Sequence, residues 1–268
     1  MTKTVAIVGA GIVGVSTAVW LQREGHRVVL IDQRGPGEGT SHGNGGVLAS
    51  ASVVPVPVPG LWKMAPRMLF DPRQPLFLKW GYLPRLMPWL LRYMRHATVE
   101  GVASRARAIA PIIGDSLNDH LALAEGTGAE RFVVPSDYLY VYPTRRQFEV
   151  DAAYWQVRRE AGWDWDVLED EDFTAYDPCF GPDLRCAVRL GGHGRISDPG
   201  AYVKALAAHV ERQGGQILKA EVSDVVRDGP RVIGLRVGGE TLTCDAVVLA
   251  AGAWSAKLAA KLGAKVPL

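Results

Sequence analysis

Three features predict an α/β protein: a parallel sheet covered on both faces, with a mixed α+β region inserted into it. A wholly apolar tetrapeptide, Val5-Ala6-Ile7-Val8, runs straight into Gly9-x-Gly11-x-x-Gly14. A second apolar run, Val28-Val29-Leu30-Ile31, closes on Asp32, 23 positions after Gly9. A third, Ala246-Val247-Val248-Leu249-Ala250, ends in Ala251-Gly252 near the other end of the 268 residues. Apolar strands of this kind belong to parallel sheets covered on both faces. With the glycine turn after the first and the acid after the second, they predict a Rossmann-like, dinucleotide-binding domain, discontinuous because its strands recur at both ends of the chain.

The elements follow in order. Val15 to Glu24 reads as a helix stopped by Gly25, a suitable C′ residue. Six glycines within residues 35–46 exclude a regular element and predict a backbone-rich loop. Val53 to Gly60 alternates valine and proline, an extended connector that leaves the first domain. In the inserted region, Tyr138 to Tyr142 reads as a strand, Arg145 to Ala161 as one helix and Trp163 to Val167 as a half-buried strand. Asp198-Pro199 opens a helix that buries Val203, Leu206, Ala207 and Val210 and stops at Gly214-Gly215. Three strands follow, Ile217–Val226, Val232–Val237 and Glu240–Cys244, joined at Asp228-Gly229 and Gly238-Gly239 into a β-meander. The predicted division is therefore nucleotide-binding residues 1–62, an inserted substrate domain at 63–194, a second nucleotide-binding part at 195–226, the meander at 227–245 and the return strand at 246–268.

Composition removes several function classes. The formal net charge of +2 gives the chain as a whole no balance for nucleic-acid binding. Three cysteines without CxxC spacing fit a reducing, cytoplasmic setting and packing roles, and support neither a disulfide framework nor a metal site. The apolar start of the chain is explained by the glycine turn rather than by a signal peptide. Charge is nevertheless uneven: residues 61–110 hold nine Lys/Arg against two acidic residues, while residues 160–183 hold nine acidic and no basic ones. The acidic block reads as solvated surface or as a partner for the basic region. The basic segment from Trp80 to Arg95 reads either as a solvated face or as a peripheral contact with an anionic membrane surface.

Context makes the glycine motif specific. Gly9 turns the chain, Gly11 lets a pyrophosphate approach the backbone, Gly14 lets helix and strand close up, and the helix N-terminus attracts the phosphate charge. Asp32 would accept hydrogen bonds from an unphosphorylated ribose, which favours FAD or NAD over NADP, although Arg34 follows two residues later.

Gly39-Thr40-Ser41-x-x-Asn44-Gly45-Gly46 resembles the flavin-contacting loop of the D-amino-acid oxidase superfamily, with its bacterial D-amino-acid dehydrogenase branch the nearest likeness. Pro59-Gly60, Tyr176-Asp177-Pro178, Ile196-Ser197-Asp198-Pro199 and Val248 to Ser255 match in order. The resemblance implies a GR2-like FAD-binding domain in which Gly9, Gly11, Ile12, Val13, Gly14, Asp32, Gln33 and Arg34 hold the ADP half. Thr40, Ser41, Asn44, Gly45 and Gly46 would surround the pyrophosphate, ribityl chain and flavin ring. Val222 would offer its backbone to the adenine, and Ala251, Gly252 and Trp254 would line the pyrophosphate from the other side. Thr40 and Ser41 also suit loop capping. His42 is one position away from the histidine to which some relatives attach flavin, and reads as a loop residue.

The activity so implied is oxidative deamination of a D-amino acid or related amine, by hydride transfer to flavin, to a 2-oxo acid and ammonia. The electron acceptor would be a quinone or O2, and the setting the cytoplasm or the inner face of the cell membrane. Glycine or sarcosine oxidation is the alternative within the family. Family members continue past the Ala-Gly-Ala-Trp-Ser stretch with a carboxylate-clamping arginine and a final Gly-rich βα unit. The alternative from another class is a truncated, non-catalytic nucleotide-binding remnant that lacks the flavin-covering half. Tyr138, Tyr140 and Tyr142, alternating along one strand, are candidate substrate contacts, and an ordinary aromatic strand face explains them equally well.

Overall fold

The computed structural model describes residues 1–55 and 79–266. The connector beyond Pro55, the boundary at residue 62, the Pro59-Gly60 match and the basic residues before Lys79 lie outside them. Contacts divide the chain into two units: residues 1–48, 117–135 and 194–268 form one, and residues 49–116 and 136–193 the other.

The first unit is built on a four-stranded parallel sheet of β1 (Thr4–Val8), β2 (Arg27–Asp32), β7 (Gln216–Lys219) and β11 (Ala246–Leu249), in the order β11-β1-β2-β7. Alternate residues explain the apolar runs. Val5, Ile7, Val28 and Leu30 enter one core, packed under α1 (Ile12–Arg23) and α8 (Pro199–Arg212). Ala6, Val8, Val29 and Ile31 enter a second core on the opposite face, with Val225, Leu235 and Leu258. Both faces are covered, so neither alternate position has to be polar. β11 follows the same alternation, Ala246 and Val248 against the first core and Val247 and Leu249 against the second, but it is half-buried along its length because, among the described residues, it pairs with β1 alone.

Asp198 caps α8 by accepting from Ala201 N at 2.9 Å, and the predicted face Val203, Leu206, Ala207 and Val210 is buried. One strand is redrawn. The run Ile217–Val226 is split: β7 lies parallel to β2, and Ala220 N donates to Asp32 O at 3.0 Å where β2 ends. The meander therefore begins at Val222, as β8 (Val222–Asp228), β9 (Arg231–Val237) and β10 (Glu240–Thr243) in antiparallel order.

Residues 117–135, expected in the inserted domain, cluster with the first unit. α4 (Ser116–Ala124) buries Leu123 and Ala124 in the α1/α8 core, together with Ala129 and Val133. The Arg23 guanidinium holds the end of α4 by donating to the carbonyls of Ala122, Leu123 and Glu125 at 2.7–3.1 Å.

In the second unit, β4 (Val133–Tyr142), β5 (Asp166–Glu169) and β6 (Cys186–Ile196) run with α2 (Leu83–Arg95), α3 (Val99–Ile113), α5 (Arg145–Val150), α6 (Ala152–Glu160) and α7 (Asp170–Tyr176). β4 starts in the first unit and β6 ends there, where its Gly194 and Arg195 pair antiparallel with β3 (Val47–Leu48). The helix expected over Arg145–Ala161 is two helices, broken at Asp151, which leaves helical geometry with φ −89° and ψ 9°. The strand expected at Trp163–Val167 begins three residues later, because both tryptophans are drawn into an aromatic core with Phe148, Trp155 and the tyrosines of β4. Cys186 and Cys244 pack in cores, whereas Cys179 is exposed. The acidic block pairs with nearby arginines at the surface, Arg145 with Glu169, Arg185 with Asp170 and Arg189 with Asp166.

His193 makes this unit acid-sensitive. It is 1% exposed, stacked on Tyr138, with Nε2 accepting from Ala51 N at 3.0 Å and Nδ1 against Gly191 O at 2.8 Å. Both ring nitrogens are thus satisfied in the neutral form. Burial holds its pKa below the ordinary value, as it does for His120 and His209. The unfolded chain therefore binds protons first, and stability present above about pH 6.5 is lost as the pH falls below it. The melting temperature should fall between pH 7.5 and 5.5, and His193→Gln should flatten that slope. A wild-type melting temperature independent of pH would overturn the assignment.

Candidate functional site

The carboxyl ends of β1, β2 and β11 converge at the glycine turn. Gly9 has φ +106°, and a Cβ there would lie 2.4 Å from Ala250 O, so β11 approaches too closely for any side chain. Gly11 is the N-cap of α1, in extended geometry, and the first turn of the helix carries no acidic residue. The N–H groups of that turn have no intrahelical acceptors, which leaves a local positive pole. One of them is taken: Ile12 N donates to Ser41 Oγ at 2.9 Å.

Asp32 straps this region together. Its Oδ2 accepts from Ala10 N at 2.9 Å, and its Oδ1 from Arg34 N and Gly35 N at 2.8 and 3.0 Å. A carboxylate oxygen has two lone pairs. Oδ1 is saturated by its two donors, and Oδ2 keeps one acceptor position. Asn44 folds the glycine-rich loop back on itself, donating to Thr40 O at 3.2 Å and accepting from Gly46 N at 2.9 Å.

Three adjoining crevices surround these groups, all within the first unit. The middle one, of about 320 Å³, is lined by Gly9, Gly11, Ile12, Val13, Asp32, Gln33, Arg34, Thr40, Ser41, Ala251, Gly252 and Trp254. A second, of about 480 Å³, shares Gly9, Asp32, Gln33, Ala251 and Trp254 with it and adds Val222, Ser223, Lys257 and Lys261. A third, of about 150 Å³, shares Ile12 and Ser41 with the middle one and adds Asn44, Gly46, Val47, His120 and Tyr202. The outer two share no residue. The order is therefore fixed: Asp32 and Val222 toward one end, the helix N-terminus in the middle, Asn44 and Gly46 at the other. The order and polarity suit a dinucleotide, with an acceptor for a ribose hydroxyl, a positive pole for a diphosphate and a mostly apolar end for a ring system.

Most of the sequence-predicted positions meet here. Gly14 and Gly45 do not line a crevice: Gly14 lies beneath the turn, where a Cβ would stand 1.9 Å from Gly9 O, and Gly45 flanks the loop. Ser41 serves as the capping hydroxyl that its residue type allowed. Arg34 lies 5.8 Å from the ring centroid of Trp254, which is half-exposed. Tyr138, Tyr140 and Tyr142 belong to the second unit and pack with Trp155, Phe148 and His193. Tyr140 OH accepts from Arg158 Nη2 at 2.9 Å, and Tyr142 OH accepts from Trp155 Nε1 and donates to Asp151 Oδ2, both at 3.1 Å. That is the arrangement of an aromatic strand face. Lys257, Lys261, His120 and Tyr202 were missed. The lysines carry no motif, and His120 lies far from the glycine turn in sequence.

The sequence profile of the family described as FAD dependent oxidoreductase (DAO) matches residues 4–268. A D-amino-acid oxidase of Bradyrhizobium diazoefficiens is 37% identical over 269 residues, covering 99% of this chain and 64% of its own length. A D-amino acid dehydrogenase of Xylella fastidiosa is 27% identical over 271 residues, covering 98% and 62%. The chain thus spans just under two thirds of these relatives. Among solved structures, a glycine oxidase of Geobacillus kaustophilus superposes with a TM-score of 0.63 at 24% identity, over 98% of this chain and 58% of that one. An L-amino acid deaminase of Proteus vulgaris gives 0.64 at 16% identity, over 99% and 51%. At these identities the structures share the fold.

Proposed function

The chain belongs to the FAD dependent oxidoreductase family, and from that premise we propose that it holds FAD in an enzyme that oxidises a D-amino acid to a 2-oxo acid and ammonia. The observation that carries the reading is the ordered row of crevices, with Asp32 toward one end and Asn44 at the other. When bound, FAD supplies the two-electron acceptor for the amine carbon. The residues of the chain bind and orient. Asp32 Oδ2 has its remaining acceptor position for a ribose hydroxyl, and the first turn of α1 offers N–H groups to the diphosphate. Val222 borders the adenine end, and Thr40, Ser41, Asn44 and Gly46 shape the flavin end. Arg34 and Trp254 stand over the diphosphate crevice. The names of the relatives at 37% and 27% identity favour a D-amino acid over glycine or sarcosine as substrate.

The test is direct. Purified protein should be yellow, or take up FAD with quenching of flavin fluorescence. With D-amino acids present, oxygen consumption would mark an oxidase and dye or quinone reduction a dehydrogenase. A colourless protein that binds ADP-ribose but not FAD would leave a nucleotide-binding remnant and sink this reading.

A finer part of the proposal concerns the second unit. No helix among the described residues is long and apolar enough to cross a membrane. α2, however, places Arg85, Arg92 and Arg95 on one side and Leu86, Met87 and Leu90 on the other, with Trp89 and Leu91 more than half exposed. A helix of this pattern suits peripheral contact with anionic lipid on the cytoplasmic side. Vesicles containing phosphatidylglycerol should carry the protein in flotation, less so at high salt or with Arg85→Glu/Arg92→Glu. No flotation, or equal flotation with neutral vesicles, would remove this part alone.

A further inference from the structure

We propose that His120 is a ligand-contacting residue at the flavin end of the site, donating Nε2–H to an acceptor on the half of the cofactor that extends past Ser41. The inference rests on reading the crevices as an FAD site, and goes beyond it by adding a residue from α4, a helix that carries no nucleotide-binding motif.

The third crevice is mostly apolar, and its polar side chains are largely occupied in holding the protein together. Ser41 Oγ accepts from Ile12 N. Asn44 is bonded at both ends of its amide, to Thr40 O and Gly46 N. The Tyr202 hydroxyl lies 3.1 Å from His120 Nδ1. Among the described residues, His120 Nε2 meets no protein partner, although the side chain lines the crevice.

The tautomer follows from the environment. Tyr202 is 1% exposed, and burial raises its pKa, so the phenol keeps its proton and has it to donate, with His120 Nδ1 at 3.1 Å as the nearer acceptor. Its alternative acceptor, His120 O, is farther away at 3.4 Å. We assign the hydroxyl proton to the shorter contact, at Nδ1. Burial also holds the imidazole neutral, against the weaker opposing charge of Asp119. A neutral ring that accepts at Nδ1 carries its own proton on Nε2. The result is a fixed donor at the edge of an apolar crevice, with Tyr202 as the positioning residue that sets its tautomer. Nε2–H is open to the crevice, so an incoming flavin group with an oxygen or nitrogen acceptor takes this contact in place of water.

The test compares ligands that reach the two ends of the site. FAD and ADP are titrated against the full chain, wild type and variants, by flavin fluorescence quenching and calorimetry. His120→Phe keeps the ring volume and removes the donor. It should weaken FAD about five-fold, the loss of one hydrogen bond, leave ADP unchanged, and shift the absorption bands of bound flavin. His120→Gln, whose amide nitrogen falls near Nε2, should restore most of the FAD affinity. Tyr202→Phe should weaken FAD by a smaller factor, and it provides the measurement if His120→Phe does not fold. Equal affinities of wild type and His120→Phe for FAD would overturn the inference, as would equal losses for FAD and ADP, which mark a merely structural role. If wild type binds ADP but takes up no FAD, the FAD reading itself fails and this inference falls with it.

Discussion

Gly14→Ala is expected to lower the melting temperature of the protein by about 6–12 °C, although alanine is the better helix former. In an exposed helix interior this exchange stabilises by about 1 kcal/mol. Here the added Cβ would stand 1.9 Å from Gly9 O and 3.0 Å from Gly9 C, and both are backbone atoms that cannot rotate away. The turn cannot retreat, because Gly9 is itself held against Ala250. Either α1 moves off the sheet or the turn is rebuilt, at a cost of about 3 kcal/mol; for a chain of this size each kcal/mol is roughly 2–4 °C. Gly25→Ala supplies the control. Gly25 has φ +79° with nothing within 4 Å of its Cβ position, so only left-handed strain is added, about 1 kcal/mol. Calorimetry on the two variants separates the effects. FAD affinity should fall at least ten-fold for Gly14→Ala and stay near wild type for Gly25→Ala. A Gly14→Ala protein that melts at or above wild type would mean that helix and turn are not in contact.

Asp32→Ala should produce the largest loss of nucleotide affinity of any single truncation, on the order of 100-fold for FAD and ADP alike. In the proposed site the carboxylate would serve the fold and the ligand at once. It accepts three backbone N–H groups, from Ala10, Arg34 and Gly35, and so ties the glycine turn to the loop after β2. Hydrogen bonds to a charged acceptor contribute about 1.5–3 kcal/mol each, and removal of Asp32 also leaves their donors unmatched. The ribose loses its acceptor in the same step. Asp32→Asn keeps one acceptor oxygen and turns the other position into a donor facing backbone N–H groups, so it should recover little. Titration of ADP is the cleaner measurement, because ADP reaches only the Asp32 side and the middle of the row. Retention of wild-type ADP affinity in Asp32→Ala would exclude this end of the crevices as the adenosine site.

Much of the first unit is legible from its residues. The apolar runs of β1 and β2, the glycine turn and the Asp198-Pro199 helix start are local patterns whose cause lies within a few positions of the effect. The same locality misleads where a distant partner decides. Ile217–Val226 is continuous in β propensity, yet β2 takes Gln216–Lys219 into the parallel sheet and leaves Val222 onward to the meander. Arg145–Ala161 is continuous in helix propensity, yet it breaks at Asp151, whose carboxylate accepts from Tyr142 on β4. Trp163 and Trp165 alternate as a strand would, yet both join the aromatic core before the strand starts.

The candidate site divides in the same way. Glycine spacing and the acid at the end of β2 specify the ADP half, because the chemistry there is done by backbone and by one side chain in a fixed sequence relation to it. His120 and Tyr202 lie 82 positions apart. They meet only because α4 and α8 pack into a common core, and the tautomer that makes Nε2 a donor depends on burial, which no local pattern records. What the linear chain determines alone is the class of fold and the glycine turn on which the proposed dinucleotide site is built, since both follow from short-range sterics and polarity. The residues lining the far crevice were decided by packing, since hydrophobic burial is non-directional in sequence and brings together side chains that share no motif.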